Sequence, residues 1–236
     1  YGGLWVASLE YLLHFDIDKR NFTIVDVDED GHKLQQYNRL LFCDSKKRIW
    51  AGGEMGISVF NQVGTSLLPN TDFQIASVLK QAFVNCFYET SSGYLWIGTR
   101  NGLFALKESD KQFLQYTTEN GLPSNVIYGI LEDAYGRLWI STNQGLSCLN
   151  PESGKFRNFT IMDGLQGNQF NAGAYCRKDN GYMLFGGVNG ITSFRPETLI
   201  DNPYAPKPVI NKLFVHNKEV LPDDETGILK ESITYV

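Results

Sequence analysis

The chain has 236 residues, 42% of them hydrophobic and 13% aromatic, enough to bury a large core as one domain or as a main domain with an appendage. Its 21 basic and 26 acidic residues leave a net charge of −5, which argues against a nucleic-acid surface. No apolar run approaches the roughly 20 residues of a membrane helix.

The chain opens at Tyr1-Gly2-Gly3-Leu4-Trp5, without an initiator Met or signal peptide and inside a sequence unit that recurs later. It therefore reads as a piece of something longer. Leu4 to Ser8, Tyr11 to Phe15 and Asn21 to Val25 are β-prone runs separated by short breaks. Asp26 to Gln36 is a charged loop. Asp26, Asp28 and Asp30 alternate there in a calcium-loop manner, but the bidentate Glu and flanking helices of an EF-hand are lacking.

A second unit runs from about Tyr37 to Leu68, and its third strand is followed by Asn61 to Asp72, a polar loop in which a fourth strand is hard to see. A third covers Ile75 to Thr117, a fourth Asn125 to Thr160, and a fifth starts near Asn171 and breaks off at Arg195-Pro196. In the fourth unit the runs are Val126 to Leu131, Leu138 to Ser141, Leu146 to Leu149 and Phe156 to Thr160. Asp201 to Pro208 is a proline-stiffened linker. Beyond it Val209 to Val215 alternates as a new strand, and Ile233 to Val236 begins another.

The period is set by tryptophan. Trp5, Trp50, Trp96 and Trp139 follow one another at 45, 46 and 43 residues, and Leu184 stands in the same place 45 residues further on. Gly93, Gly136 and Gly181 precede the tryptophan position at a turn, with Lys47 the exception. Gly102, Gly145 and Gly190 mark the next turn with Gly56, and Tyr11 is the exception there. Four short strands in about 45 residues, with no sustained helical period, predict an all-β fold: a β-propeller of about five four-stranded blades. Each indole then reads as a plate wedged between adjacent blades.

Chemistry is sparse. His14, His32 and His216 are isolated, the widely spaced Cys43, Cys86, Cys148 and Cys176 read as small buried apolar residues, and no nucleophile or phosphate-cradling motif is present. No catalytic residue, metal site or cofactor is therefore assigned. The recurrent Asp44, Glu89 and Asp133 read as turn residues accepting local backbone hydrogen bonds. If a ligand binds, the face formed by the loops entering each innermost strand offers Asn85, Asn125, Tyr128, Asn168, Gln169 and Asn171: amides for sugar hydroxyls and an aromatic ring for stacking. The competing reading is that Asn125 and Asn168 only cap turns in their matching connectors.

The segments Asn120-Gly121-Leu122-Pro123-Ser124-Asn125, Glu132 to Thr142 and Gln144-Gly145-Leu146 resemble the two-component regulator propeller repeat. Gly164 to Asn171, Phe185 to Ile191 and Phe194-Arg195-Pro196 are similar to the end of such propellers, and Pro208 onward to the start of the triple-tyrosine β-sandwich that follows them. The resemblance implies that residues 1–200 are blades of a seven-bladed ring and 201–236 the linker and first strands of the sandwich. It also implies the periplasmic sensor region of a Bacteroides-type membrane hybrid histidine kinase, which senses oligosaccharides and controls polysaccharide-utilisation genes. The partners implied are an oligosaccharide, the rest of the sensor region and a second kinase subunit. A carbohydrate-active propeller enzyme (lyase or hydrolase) and a non-catalytic scaffold are the alternatives.

Overall fold

The computed structural model describes residues 3–8, 11–25, 38–64, 66–107, 112–199 and 212–220. It divides into two compact units, Tyr1–Pro196 and Glu197–Val236. The first contains five antiparallel sheets in chain order. Sheet one holds β1 (Gly3–Ala7), β2 (Leu12–Asp16) and β3 (Asn21–Val25), and sheet two β4 (Asn38–Cys43), β5 (Arg48–Gly53), β6 (Gly56–Val63) and β7 (Ser66–Pro69). Sheet three holds β8 (Val84–Glu89), β9 (Tyr94–Thr99), β10 (Gly102–Lys107) and β11 (Gln112–Tyr116). Sheet four holds β12 (Ile127–Glu132), β13 (Leu138–Thr142), β14 (Gly145–Asn150) and β15 (Lys155–Phe159), and sheet five β16 (Phe170–Arg177), β17 (Met183–Gly187) and β18 (Gly190–Phe194).

Every sheet is a meander whose strands neighbour one another in sequence order. The first strands β8, β12 and β16 of successive sheets pack on each other. This is the blade order of a β-propeller, with the first strand innermost.

The tryptophans hold the blades together, as their spacing predicts. Trp50 of blade two shares a core with Phe87, Ile97 and Phe104 of blade three. Trp96 of blade three lies with Ile127, Leu138 and Ile140 of blade four, and Trp139 of blade four with Phe170, Met183 and Phe185 of blade five. Trp5 packs against the core of blade two at Ile49, Ala51 and Phe60. Trp50, Trp96 and Trp139 are at most 2% exposed. A fully buried indole removes about 150–250 Å² from water, worth about 4–6 kcal/mol by area transfer. Neighbours in the same blade, such as Tyr116 beside Trp96 and Phe159 beside Trp139, cover only part of the ring, and the next blade covers the rest.

Close approach between blades also needs flat backbone. A Cβ added to Gly129 on β12 would come within 2.2 Å of the Tyr175 ring on β16. Burial pushes the Tyr175 hydroxyl well above the ordinary phenol range, and the nearby Cys86 adds to the shift.

Several expectations change. The fourth strand of blade two exists as β7, paired with β6 from Phe60↔Pro69 to Val63↔Ser66. Pro69 lies on this outermost strand, where a missing N–H costs no ladder bond. Ile75 does not begin blade three. It lies on a short helix, α1 (Gln74–Val78), where Ile75 and Leu79 pack into the core between blades two and three, and the blade starts at Val84. Of the four cysteines only Cys86 and Cys148 are buried, and burial pushes the Cys86 thiol up to about 12. Cys43 and Cys176 are exposed because they sit at the outgoing ends of β4 and β16, beside the turn.

In the second unit, β19 (Leu213–Val215) and β20 (Lys218–Val220) form a hairpin around His216 and Asn217, both at positive φ. That is the backbone of a tight hairpin turn whose twist matches the strands. The Asp26–Asp30 loop, the Asp201–Pro208 linker, Val209 to Asn211 and Ile233 to Val236 lie outside the described residues.

The turn glycines Gly93, Gly136 and Gly181 have φ of 80°, 73° and 84°, and Lys47, in their place in blade two, keeps the same left-handed turn at φ 62°. A side chain there costs about 1–2 kcal/mol, partly offset by the greater unfolded-state freedom of glycine. Lys47→Gly is therefore expected to stabilise the protein by about 0.5–1 kcal/mol, read as a higher midpoint in thermal unfolding.

Candidate functional site

A propeller blade presents two rims. One carries the turns from first to second strand and from third to fourth. The opposite rim carries the second-to-third turns and the connectors into the next blade. On that connector rim the hairpin glycines are tied to the connectors: Gly102 N donates to Asn125 O at 2.8 Å and Gly145 N to Asn168 O at 2.6 Å. Thr99 and Thr142 hydroxyls accept from Asn101 N and Gln144 N inside those same turns.

The sequence-predicted site residues fall on this rim and are largely committed to structure. Asn125 Oδ1 accepts from Thr118 N at 2.8 Å, and Asn168 Oδ1 from Ile161 N at 2.9 Å. Both amides thus cap the short turns of matching connectors, each of which also closes a capping box, at Thr117/Asn120 and Thr160/Asp163. Asn85 Nδ2 donates to Ile127 O at 2.8 Å, stitching blade three to blade four. Tyr128 is half-buried against the core of blades four and five. Gln169 and Asn171 are exposed at the entry to β16. Asn168, Gln169 and Asn171 are adjacent in the chain, whereas Asn85 belongs to a different blade.

The opposite rim holds the more distinctive chemistry. Asp44 Oδ1 accepts from Lys46 N and Arg48 N, and its Oδ2 from Arg48 Nε at 2.6 Å and Trp50 Nε1 at 2.9 Å. Asp133 repeats this arrangement with Tyr135 N, Arg137 N, Arg137 Nε at 2.7 Å and Trp139 Nε1 at 3.0 Å. Each aspartate, buried and six residues before its tryptophan, closes the turn, pairs the arginine and satisfies the indole N–H. The arginine also covers the indole, with its guanidinium carbon 5.9 Å from the ring centre in both blades. Burial works against the charge on Arg137, but the hydrogen bond to Asp133, the charge of that carboxylate and smaller electrostatic contributions together outweigh it and raise the arginine's pKa.

Glu89 departs from the expected role. The residue equivalent to Asp44 and Asp133 in blade three is Thr90, and Glu89 is equivalent to Glu132. Both glutamates reach back to the preceding blade. Glu89 accepts from Ser45 N and Oγ, each at 2.7 Å, and Glu132 from Ser91 N at 3.0 Å and Oγ at 2.9 Å. In the next blade Arg177 takes the glutamate's place, Ala134 takes the serine's, and Arg177 Nη1 donates to Glu132 O at 2.9 Å. Counting six and seven residues back from each tryptophan would have separated the two roles.

Residues 79–101 and 121–144 match the two component regulator propeller family. Each of these two stretches is similar to a two-component regulator propeller repeat. Histidine kinase P4 of Formosa agariphila is 28% identical over 231 residues, covering 94% of this chain and 17% of that protein, so the chain spans less than a fifth of the relative. The extracellular domain of a protein assigned as a hybrid two component system of B. thetaiotaomicron aligns with a TM-score of 0.74 and 23% identity, over 99% of this chain and 31% of its own. The extracellular domain of another such protein from the same organism aligns with a TM-score of 0.66 and 19% identity, over 88% and 26%. At these identities the solved structures speak to the fold. Among the described residues, no helix is long and apolar enough to cross a membrane, and no group of three or more His, Cys, Asp or Glu is placed to hold a metal ion.

Removing a buried carboxylate leaves a guanidinium and an indole N–H without their partner, at a cost of about 3–5 kcal/mol. Asp133→Ala is expected to lose that much in urea unfolding. Asp133→Asn should lose less, because an amide oxygen can still accept from Trp139.

Proposed function

We propose that this chain belongs to the periplasmic ligand-sensing region of a membrane hybrid two-component histidine kinase. The ligand is an oligosaccharide, and the output is control of polysaccharide-utilisation genes. The observation that carries the reading is the regulator propeller repeat itself, matched in two successive blades. The kinase relative and the likeness to extracellular domains of hybrid two-component systems support it. On this reading the second unit is the beginning of the triple-tyrosine sandwich. It would pass a change in the propeller to the kinase, which acts as a homodimer. A ligand can drive that change only by binding one arrangement of the two subunits better than the other.

The alternative, a propeller lyase or hydrolase, needs a free general base at a reaction centre, and the hydrolase a pair of free carboxylates. The buried Asp44 and Asp133 are spent on structure, each accepting four hydrogen bonds, while the half-buried Glu89 and the buried Glu132 each hold the turn of the preceding blade. That favours sensing over turnover.

Calorimetry on the full periplasmic region of the parent protein, run against a wide oligosaccharide panel, tests the proposal. The expected result is one class of oligosaccharide bound near micromolar Kd, or about −8 kcal/mol, with no new reducing ends or unsaturated products after prolonged incubation. Absence of binding across the panel, or release of products, overturns it.

A further inference from the structure

The turn-closing aspartate of blades two and four is missing from blade three, and the consequences gather in one place. Thr90 stands where the aspartate would be, and Tyr94 where the arginine would be. The Thr90 hydroxyl still closes the turn, accepting from Tyr94 N at 3.1 Å. It does not reach the indole, however, and Trp96 Nε1 is buried without a hydrogen-bond partner, although the same atom in Trp50 and Trp139 is satisfied. A buried donor left unpaired costs about 1–3 kcal/mol. Sequences rarely keep such a cost at one copy of a repeat unless something else uses it.

Beside this indole, blades three and four form a cleft of about 270 Å³, open on the rim opposite the connectors. The equivalent cleft between blades two and three, where aspartate and arginine are both present, is about 200 Å³. The larger cleft is walled by Trp96, Tyr94 and Tyr116, the two tyrosine ring centres lying 6.2 Å and 5.9 Å from the indole and Tyr116 stacked on it with the planes 27° apart. Tyr135, two-thirds exposed, stands at its mouth. Glu132, 7% exposed, and Asn150 supply polar atoms on the blade-four side. Ser91 holds each Glu132 oxygen through one hydrogen bond, so lone pairs remain for a second donor.

We propose that this cleft binds one ring of a neutral, polyhydroxylated ligand, a single saccharide unit. The aromatic walls suit the apolar C–H face of such a ring. The unpaired indole N–H calls for an acceptor oxygen, while Glu132 calls for a hydroxyl donor; only a group that is both donor and acceptor at neighbouring atoms answers both. An anionic ligand is disfavoured by Glu132 and the adjacent Glu152. The volume lies just under the roughly 300–1,000 Å³ of sites for drug-sized ligands, which limits occupancy to one ring. This site rests on the sensing reading above but is distinct from the connector-rim amides.

The test uses the 236-residue chain labelled with ¹⁵N, whose four tryptophans give four indole N–H signals, that of Trp96 being identified by its loss in Trp96→Phe. Titration with neutral monosaccharides is expected to shift the Trp96 signal and leave those of Trp50 and Trp139 in place. The double variant Thr90→Asp/Tyr94→Arg rebuilds the arrangement of blades two and four. It is expected to fold with a higher thermal midpoint and to bind the same sugar at least tenfold more weakly. Saturable binding that persists undiminished in the double variant overturns the cleft, as does the absence of any Trp96 shift across the monosaccharides or a shift only with charged compounds. If calorimetry on the full region still shows oligosaccharide binding in that case, the sensor reading stands and the ligand sits elsewhere.

Discussion

The structure depends on an indole ring that cannot be buried by the blade that owns it. Each of Trp50, Trp96 and Trp139 is supplied by a second strand and covered by the next blade, so the largest apolar contribution of every repeat is collected only at an interface. Stability in such an array is shared between neighbours, and no single sheet is a folding unit of its own. The polar side of the same ring raises the complementary problem, because a buried N–H must be paired. Asp44 and Asp133 answer it with a carboxylate that also closes the adjacent turn and neutralises an arginine. One side chain thereby couples the turn, the indole and a charge.

The architecture was legible because its signals recur. Tryptophan at a near-constant period, turn glycines at fixed offsets and four β-prone runs per period point to the same answer, and that agreement across levels outweighs any one residue. What escaped notice was whatever broke the period. The helix α1 replaces a connector, and the i, i+4 pair Ile75 and Leu79 that buries it is too short a pattern to stand out. The strand β7 follows polar residues because the end of β6 and the outer edge of a blade face water: Asn61, Gln62 and Val63 are all exposed.

Site residues were less legible for a physical reason. Asn125 and Asn168 carry the amide chemistry of a sugar site and of a turn cap alike, and only the distances to Thr118 N and Ile161 N show which use is made of them. Glu89 was one residue out of register with the aspartates because Thr90, which truly matches them, carries no charge to draw attention. The substitution at Thr90 is informative in that its neighbours in the repeat show what the position ordinarily does. Repetition thus supplies an internal control that a single-copy fold lacks.

The contacts between first-strand ends and the preceding turns have a further meaning for assembly. Glutamate reaches serine across two successive junctions, and the third exchanges both chemical types, with Arg177 donating to the backbone carbonyl of Glu132. Neighbouring blades therefore recognise each other by polarity as well as by shape. If blade four were excised and blades three and five joined, Ser91 would lose the Glu132 carboxylate that accepts from both its amide and its hydroxyl, and Arg177 in the glutamate's place could not accept from the amide. The linear order of near-identical modules is written into their seams, which guards a repetitive chain against pairing out of sequence while it folds.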